Sequence, residues 1–249
     1  MKQLIAANWK MHKTWEESIQ TAREIVVGTY NQLPANREVL IIPSFPHLKA
    51  VSDVLAKQKN YFLGAQNLYP ALKGAFTGEV SPAQLLDVGC SYVLVGHSER
   101  RHVLQEQDEF LAQKASFALE QGLKVIFCIG ETIEQRQQGR TKEVLRSQLE
   151  LGLKDVQKVD SEDLVIAYEP VWAIGTGQVA QEQDILDAHA FIREFLQKTF
   201  SGAEEVRILY GGSVKPANAS SILALDNVDG VLVGGASLTA ESFNQIILA

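Results

Sequence analysis

The run Leu164-Val165-Ile166-Ala167-Tyr168 is apolar throughout and stops on Glu169-Pro170. A carboxylate at the end of a buried strand costs free energy unless it is paired or used. Val171, Trp172, Ala173 and Ile174 follow, and then Gly175-Thr176-Gly177. The segment is rigid at the Pro170 end, apolar in the middle and glycine-rich beyond. A general base beneath a water-excluding lid has this composition. A strand-end glutamate that caps the next helix has it too, with Trp172 and Ile174 as ordinary packing.

Other polar residues follow other apolar runs. Asn8, Trp9 and Lys10 end the first, where a lysine in a cleft would supply charge for an anionic ligand. Gly96-His97-Ser98-Glu99-Arg100 ends the fourth, and of five histidines only His97 lies directly after such a run. Taken alone, Lys10 reads as a solvated surface lysine and His97 as a hydrogen-bonded structural residue. Glu99 suits an ion pair with Lys10 or the cap of the following turn. Three glycine-bearing turns complete the set: Gly175-Thr176-Gly177, Gly211-Gly212-Ser213 and Gly234-Gly235-Ala236. Glycine lets a phosphate reach backbone N–H groups, and a helix that starts there adds its positive end.

Other chemistries find little support. The stretch 175–180 satisfies G-x-G-x-x-A, yet it does not directly follow its strand and no acidic residue ends a strand about 20 residues on. Ser98 lacks the second glycine of a nucleophile elbow. The histidines lack metal-ligand spacing, so neither a metal site nor a cofactor is expected.

The elements that must place these residues alternate along the chain. Short β-rich runs occupy Leu4–Ala7, Val39–Ile42, Tyr61–Ala65, Tyr92–Val95, Val125–Ile129, Leu164–Tyr168, Val206–Leu209 and Gly230–Val233. Near-continuous apolar runs fit strands buried on both faces of a parallel sheet. Between them lie helical patterns, among them Trp15–Tyr30, Asp108–Gln121, Glu134–Leu151 and Gln181–Lys198. Thr14 and Ser81-Pro82 are start signals. Eight strand–helix units in this length predict an α/β fold, a single (β/α)8 barrel over residues 1–249. A doubly wound open sheet is the rival. Polar and glycine residues collect just past the C-terminal ends of nearly all eight strands, where barrels build their sites, and this favours the barrel.

Composition bounds the rest. The 249 residues carry 46% hydrophobic side chains and a net charge of −7. That charge argues against nucleic acid, although local dipoles and one or two lysines suffice to bind a small anion. Leu4-Ile5-Ala6-Ala7 is too short for a signal or a membrane span. Cys90 and Cys128 lie in apolar surroundings, which suggests the reducing cytoplasm.

Six blocks together resemble the triosephosphate isomerase family: Ala7-Asn8-Trp9-Lys10-Met11, residues 74–79 (GAFTGE), residues 95–101 (VGHSERR), residues 167–177 (AYEPVWAIGTG), residues 210–214 (YGGSV) and residues 234–238 (GGASL). The resemblance spans essentially the whole chain. It implies a TIM barrel that interconverts dihydroxyacetone phosphate and D-glyceraldehyde 3-phosphate through an enediol(ate). It further implies Glu169 as base, His97 as neutral hydrogen-bond donor and Lys10 as electrostatic stabiliser, the division of labour the family is known for. Asn8, Gly175, Ser213, Gly234 and Gly235 would bind substrate with Lys10, and Cys128 and Glu99 would support the site. Residues 170–176 would form the lid, with a trailing hinge Gln178-Val179-Ala180 where many members carry Lys-Thr-Ala. The segment Leu68–Val80, with Phe76 at its tip, would dock into a second subunit and make a homodimer. Another phosphate-binding barrel isomerase, or a non-catalytic sensor of phosphorylated metabolites, remains open at this point.

Overall fold

The computed structural model describes residues 1–156, 161–174, 179–200 and 202–249. Eight parallel strands close on themselves: β1 Gln3–Asn8, β2 Arg37–Ile42, β3 Tyr61–Ala65, β4 Tyr92–Val95, β5 Lys124–Ile129, β6 Leu164–Tyr168, β7 Arg207–Tyr210 and β8 Gly230–Val233. The barrel runs in chain order, and β1 pairs with both β2 and β8. All eight runs read from the sequence are strands, with ends that differ by two residues at most. A barrel strand is covered on one side by interior side chains and on the other by helices, so both sets of alternating positions are apolar. Leu4 and Ala6 belong with Leu40, Ile42, Leu94, Ile126, Val165 and Leu209 in the inner cluster, while Ile5 and Ala7 pack in the outer layer.

That outer layer contains α1 Trp15–Thr29, α2 Leu48–Leu55, α3 Pro82–Asp87, α4 Ser98–His102, α5 Asp108–Glu120, α6 Ile133–Gln137, α7 Thr141–Gly152, α8 Glu182–Thr199, α9 Pro216–Leu223 and α10 Ala240–Leu248. Thr14 starts α1 with a capping box to Glu17, and Ser81 does the same for α3 with Gln84. Each box satisfies two N–H groups that the helix leaves unpaired. The pattern over Glu134–Leu151 divides into α6 and α7. Gly139 separates them at φ 71°, in the left-handed region that ends helices and that side chains disfavour.

Polar groups close the N-terminal mouth of the barrel. Arg207 pairs with Glu38 at 2.7 Å and donates to the Tyr92 hydroxyl at 2.8 Å. No helix among the described residues is long and apolar enough to cross a membrane. In the loop 68–80, Phe76 packs on Tyr69 with ring centres 4.3 Å apart and stays 42% exposed.

Candidate active site

The opposite mouth holds a cleft of about 450 Å³. Asn8, Lys10, His97, Glu169, Ser213, Gly234 and Gly235, which come from five strand ends, all line it. Gly175 lies outside the described residues, as do Thr176, Gly177 and the Gln178 of the hinge. Ile174, Gly211, Gly212 and Lys215 also line the cleft. The sequence reading placed Gly211 and Gly212 in a glycine-bearing turn and Ile174 in the lid segment, but passed over Lys215. A lysine just before Pro216 at the start of α9 carries no signal in sequence alone.

Each side chain is placed by its backbone. Lys10 has φ 50°, outside the ordinary region for a side-chain-bearing residue, which is a local cost that the surroundings must hold in place. Its N–H donates to Asn8 Oδ1 at 3.0 Å, and its carbonyl accepts from Gln66 Nε2 at 2.7 Å. The neighbouring Trp9 ring is fully buried and donates to the Ser237 carbonyl at 3.1 Å. Held this way, the Lys10 ammonium lies 2.7 Å from Glu99 Oε1. The structure thus selects the ion pair from the two roles open to Glu99. Burial pushes the Glu99 carboxyl up, but Lys10 and His97 outweigh it and leave it below the usual carboxylate range.

His97 sits between β4 and α4. Its Nδ1 accepts the Glu99 N–H at 3.3 Å, so that nitrogen carries no proton and the ring is held as the Nε2–H tautomer. Nε2 points at Glu169 Oε1, 3.2 Å away. The second Glu169 oxygen accepts the Ser98 N–H at 3.0 Å. Ser98 was weighed only as a nucleophile in the sequence; here its backbone N–H does the work. Glu169 is only 2% exposed, yet each carboxylate oxygen has a polar partner, which is what a buried charge requires.

The corner behind Glu169 is close-packed. The Glu169 N–H donates to the Ile129 carbonyl at 2.7 Å. A Cβ on Gly130 would lie 1.8 Å from the Glu169 carbonyl oxygen, and one on Gly211 would lie 2.7 Å from Glu169 Cγ. Gln148 of α7 accepts the Gly130 N–H at 2.8 Å and donates to its carbonyl at 3.2 Å. Cys128 is fully buried nearby, and burial together with the Glu169 charge pushes its thiol well up.

The segment after Glu169 is also anchored. Glu131, fully buried, accepts the Trp172 Nε1–H at 2.9 Å and the Tyr168 hydroxyl at 3.2 Å. Burial pushes the Glu131 carboxyl up against the opposing effect of these donors. Across the cleft, Gly234 packs against Lys10, and a short 3-10 turn begins at Gly235. Chemically, the cleft combines a buried carboxylate, an imidazole N–H, an ammonium and glycine-edged backbone suited to an anion.

Comparison with known proteins agrees in extent and kind. Residues 3–249 match the family described as Triosephosphate isomerase. The triosephosphate isomerase of Nitratidesulfovibrio vulgaris (strain DSM 19637 / Miyazaki F) is 56% identical, with all of each chain covered. That of Thermodesulfovibrio yellowstonii is 49% identical over 99% of this chain and 98% of its own length. Among solved structures, the triosephosphate isomerase of Bartonella henselae superposes with a TM-score of 0.89 at 39% identity, covering 99% of this chain and 98% of its own.

Proposed function

Since the chain belongs to the triosephosphate isomerase family and interconverts dihydroxyacetone phosphate and D-glyceraldehyde 3-phosphate, we propose that Glu169, His97 and Lys10 carry that reaction in the cleft described above. Glu169 takes the proton from the carbon beside the carbonyl and returns it to the neighbouring carbon. The His97 Nε2–H donates to the carbonyl oxygen, and the Lys10 ammonium stabilises the enediolate charge that develops there. Asn8 helps to hold the substrate. Backbone N–H groups of Ser213, Gly234, Gly235 and Gly175 hold the phosphate.

One observation carries most of this reading. The Glu169 carboxylate and the His97 Nε2–H lie 3.2 Å apart in one cleft that Lys10 also lines. Separated by a substrate, the same pair supplies a base on one side and a donor on the other. A positioned base contributes about 10²–10⁴-fold, which is roughly 3–5 kcal/mol of barrier at 1.36 kcal/mol per decade. The remainder falls to electrostatic stabilisation by His97, Lys10 and backbone dipoles. In the geometry seen here Glu169 occupies the His97 donor, so it must swing away before a carbonyl can take its place. Residues 170–176, read as a lid, carry Glu169 inward as they close and exclude water from the enediol phosphate. Incubation with dihydroxyacetone phosphate in D₂O tests these roles. Wild-type enzyme should incorporate deuterium at carbon, and Glu169→Gln should not. Exchange undiminished in the variant would refute Glu169 as the base.

Residues 1–249 form one barrel domain. The protein works in the cytoplasm, in keeping with two free buried thiols, and binds neither nucleic acid nor membrane. It forms a homodimer through the loop 68–80, where Leu72 and Phe76 leave apolar surface exposed; Met11, 94% exposed, on the first loop and Trp15 at the start of α1 do the same. Exposed apolar side chains gathered in one patch mark an interaction surface. A monomeric mass by sedimentation at micromolar concentration would contradict the dimer.

A further inference from the structure

Glu169 is held here in an unproductive place. Its Oε1 takes the donor that the substrate carbonyl needs, and its Oε2 is bonded to Ser98 N–H. Pro170 joins Glu169 to the Val171–Ala173 turn with little backbone freedom, so whatever holds Trp172 also restrains the carboxylate.

Two groups hold it. Glu131 accepts the Trp172 indole N–H, and the Arg136 guanidinium lies over the indole, 4.4 Å from the ring centre. Arg136 is in turn set by Asp184 in the first turn of α8, at 2.7 Å. The other Asp184 oxygen accepts the Gln181 N–H at 3.1 Å as part of the helix cap, so this carboxylate is fixed to the scaffold. The guanidinium is therefore fixed too. A cation over an aromatic face loses its attraction once the ring slides off.

We propose that Arg136 is a positioning residue that acts through Trp172: oriented by Asp184, it latches the base of the lid in the resting arrangement, and closure requires its release. The inference rests on the reading of residues 170–176 as a lid that carries Glu169. A latch on the resting state lowers the share of binding-competent enzyme and weakens apparent affinity by the same factor. Removing it should tighten the binding of ligands that need the closed state. A residue with a purely structural role would do the reverse or only lower the active fraction.

The test is calorimetric titration of the full-length enzyme with 2-phosphoglycolate, which pairs the substrate's phosphate with a carboxylate in place of the enediolate. Arg136→Gln and Asp184→Asn should each lower the Kd about three- to tenfold, the range set by one cation–π contact and one partly exposed ion pair. The double variant should gain no more than about the better single, because both changes break one linkage. Arg136→Lys, which keeps the ion pair but loses the planar stack, should show a smaller tightening and serves if Arg136→Gln folds poorly. Unchanged or weaker binding in both folded single variants, or full additivity in the double, would overturn the latch. If the wild-type enzyme does not bind 2-phosphoglycolate, the site reading fails and the latch falls with it.

Discussion

Replacing Gly130 with alanine places a methyl group 1.8 Å from the Glu169 carbonyl oxygen and 2.5 Å from its carbonyl carbon. These are backbone atoms at the junction of β6 with the catalytic segment, and no side-chain rotation relieves the contact. Gly130 cannot retreat freely, since Gln148 holds both its N–H and its carbonyl. A carbon–oxygen contact settles at about 3.3 Å, so roughly 1.5 Å of displacement must be shared between the two corners. Overpacking of this kind costs about 1–3 kcal/mol of stability. A displacement of about 1 Å at the reacting groups costs about 10²-fold in rate. Gly152→Ala is the matched control, because the three nearest atoms to its Cβ would all belong to the Phe127 ring, the first at 2.1 Å. Denaturant unfolding and kcat/KM per folded molecule separate the two outcomes. Gly130→Ala should lose stability and about two decades of kcat/KM, whereas Gly152→Ala should lose stability alone. Activity within threefold of wild type in a folded Gly130→Ala protein would refute the claim that this contact sets the position of Glu169.

Lys10→Met should lower kcat/KM by about 10²–10³-fold, the usual cost of one electrostatic stabiliser, while denaturant unfolding shows the fold intact; retained activity would remove Lys10 from the mechanism. His189 is fully buried with its Nδ1 on the Asn227 carbonyl at 2.8 Å, and burial lowers its pKa from 6.5 to about 4. Below pH 6.5 the unfolded chain gains a proton that the fold refuses, so stability falls between about pH 6.5 and 4 and then levels, by about 3 kcal/mol in total. Urea unfolding at stepped pH should show this loss, and His189→Gln should flatten it; an unchanged slope in that variant would assign the loss elsewhere. Burial pushes the Cys90 thiol up to about 12, which leaves a thiolate fraction of about 10⁻⁴ at pH 8. Iodoacetamide should therefore spare native Cys90 and modify it on unfolding, and rapid native alkylation would contradict the burial argument.

The barrel was legible because strands buried on both faces leave unbroken apolar runs, and because polar residues gather at one end of each. Glu169, His97 and Lys10 stood out for the same reason: each closes such a run. What could not be read locally was pairing. The Lys10–Glu99 bridge joins positions 89 residues apart, and sequence left it as one of two roles for Glu99. Gln148 on Gly130, Glu131 under Trp172 and Arg136 between Trp172 and Asp184 exist only after closure of the barrel. None has a local pattern, and a buried glutamate such as Glu131 looks like any loop carboxylate until its donors are in place. The break at Gly139 carried a local signal, a lone glycine between glutamines and an arginine, but helical periodicity on both sides masked it.

A crystal structure with 2-phosphoglycolate bound would show whether Glu169, His97 and Lys10 meet one ligand. The phosphate should lie against the backbone of Ser213, Gly234 and Gly235, and the carboxylate should face His97 Nε2 and the Lys10 ammonium. Glu169 should have left the Ser98 N–H to lie over the ligand carbon. A ligand bound in that cleft with Glu169 still on Ser98, or with the phosphate seated elsewhere, would contradict this arrangement.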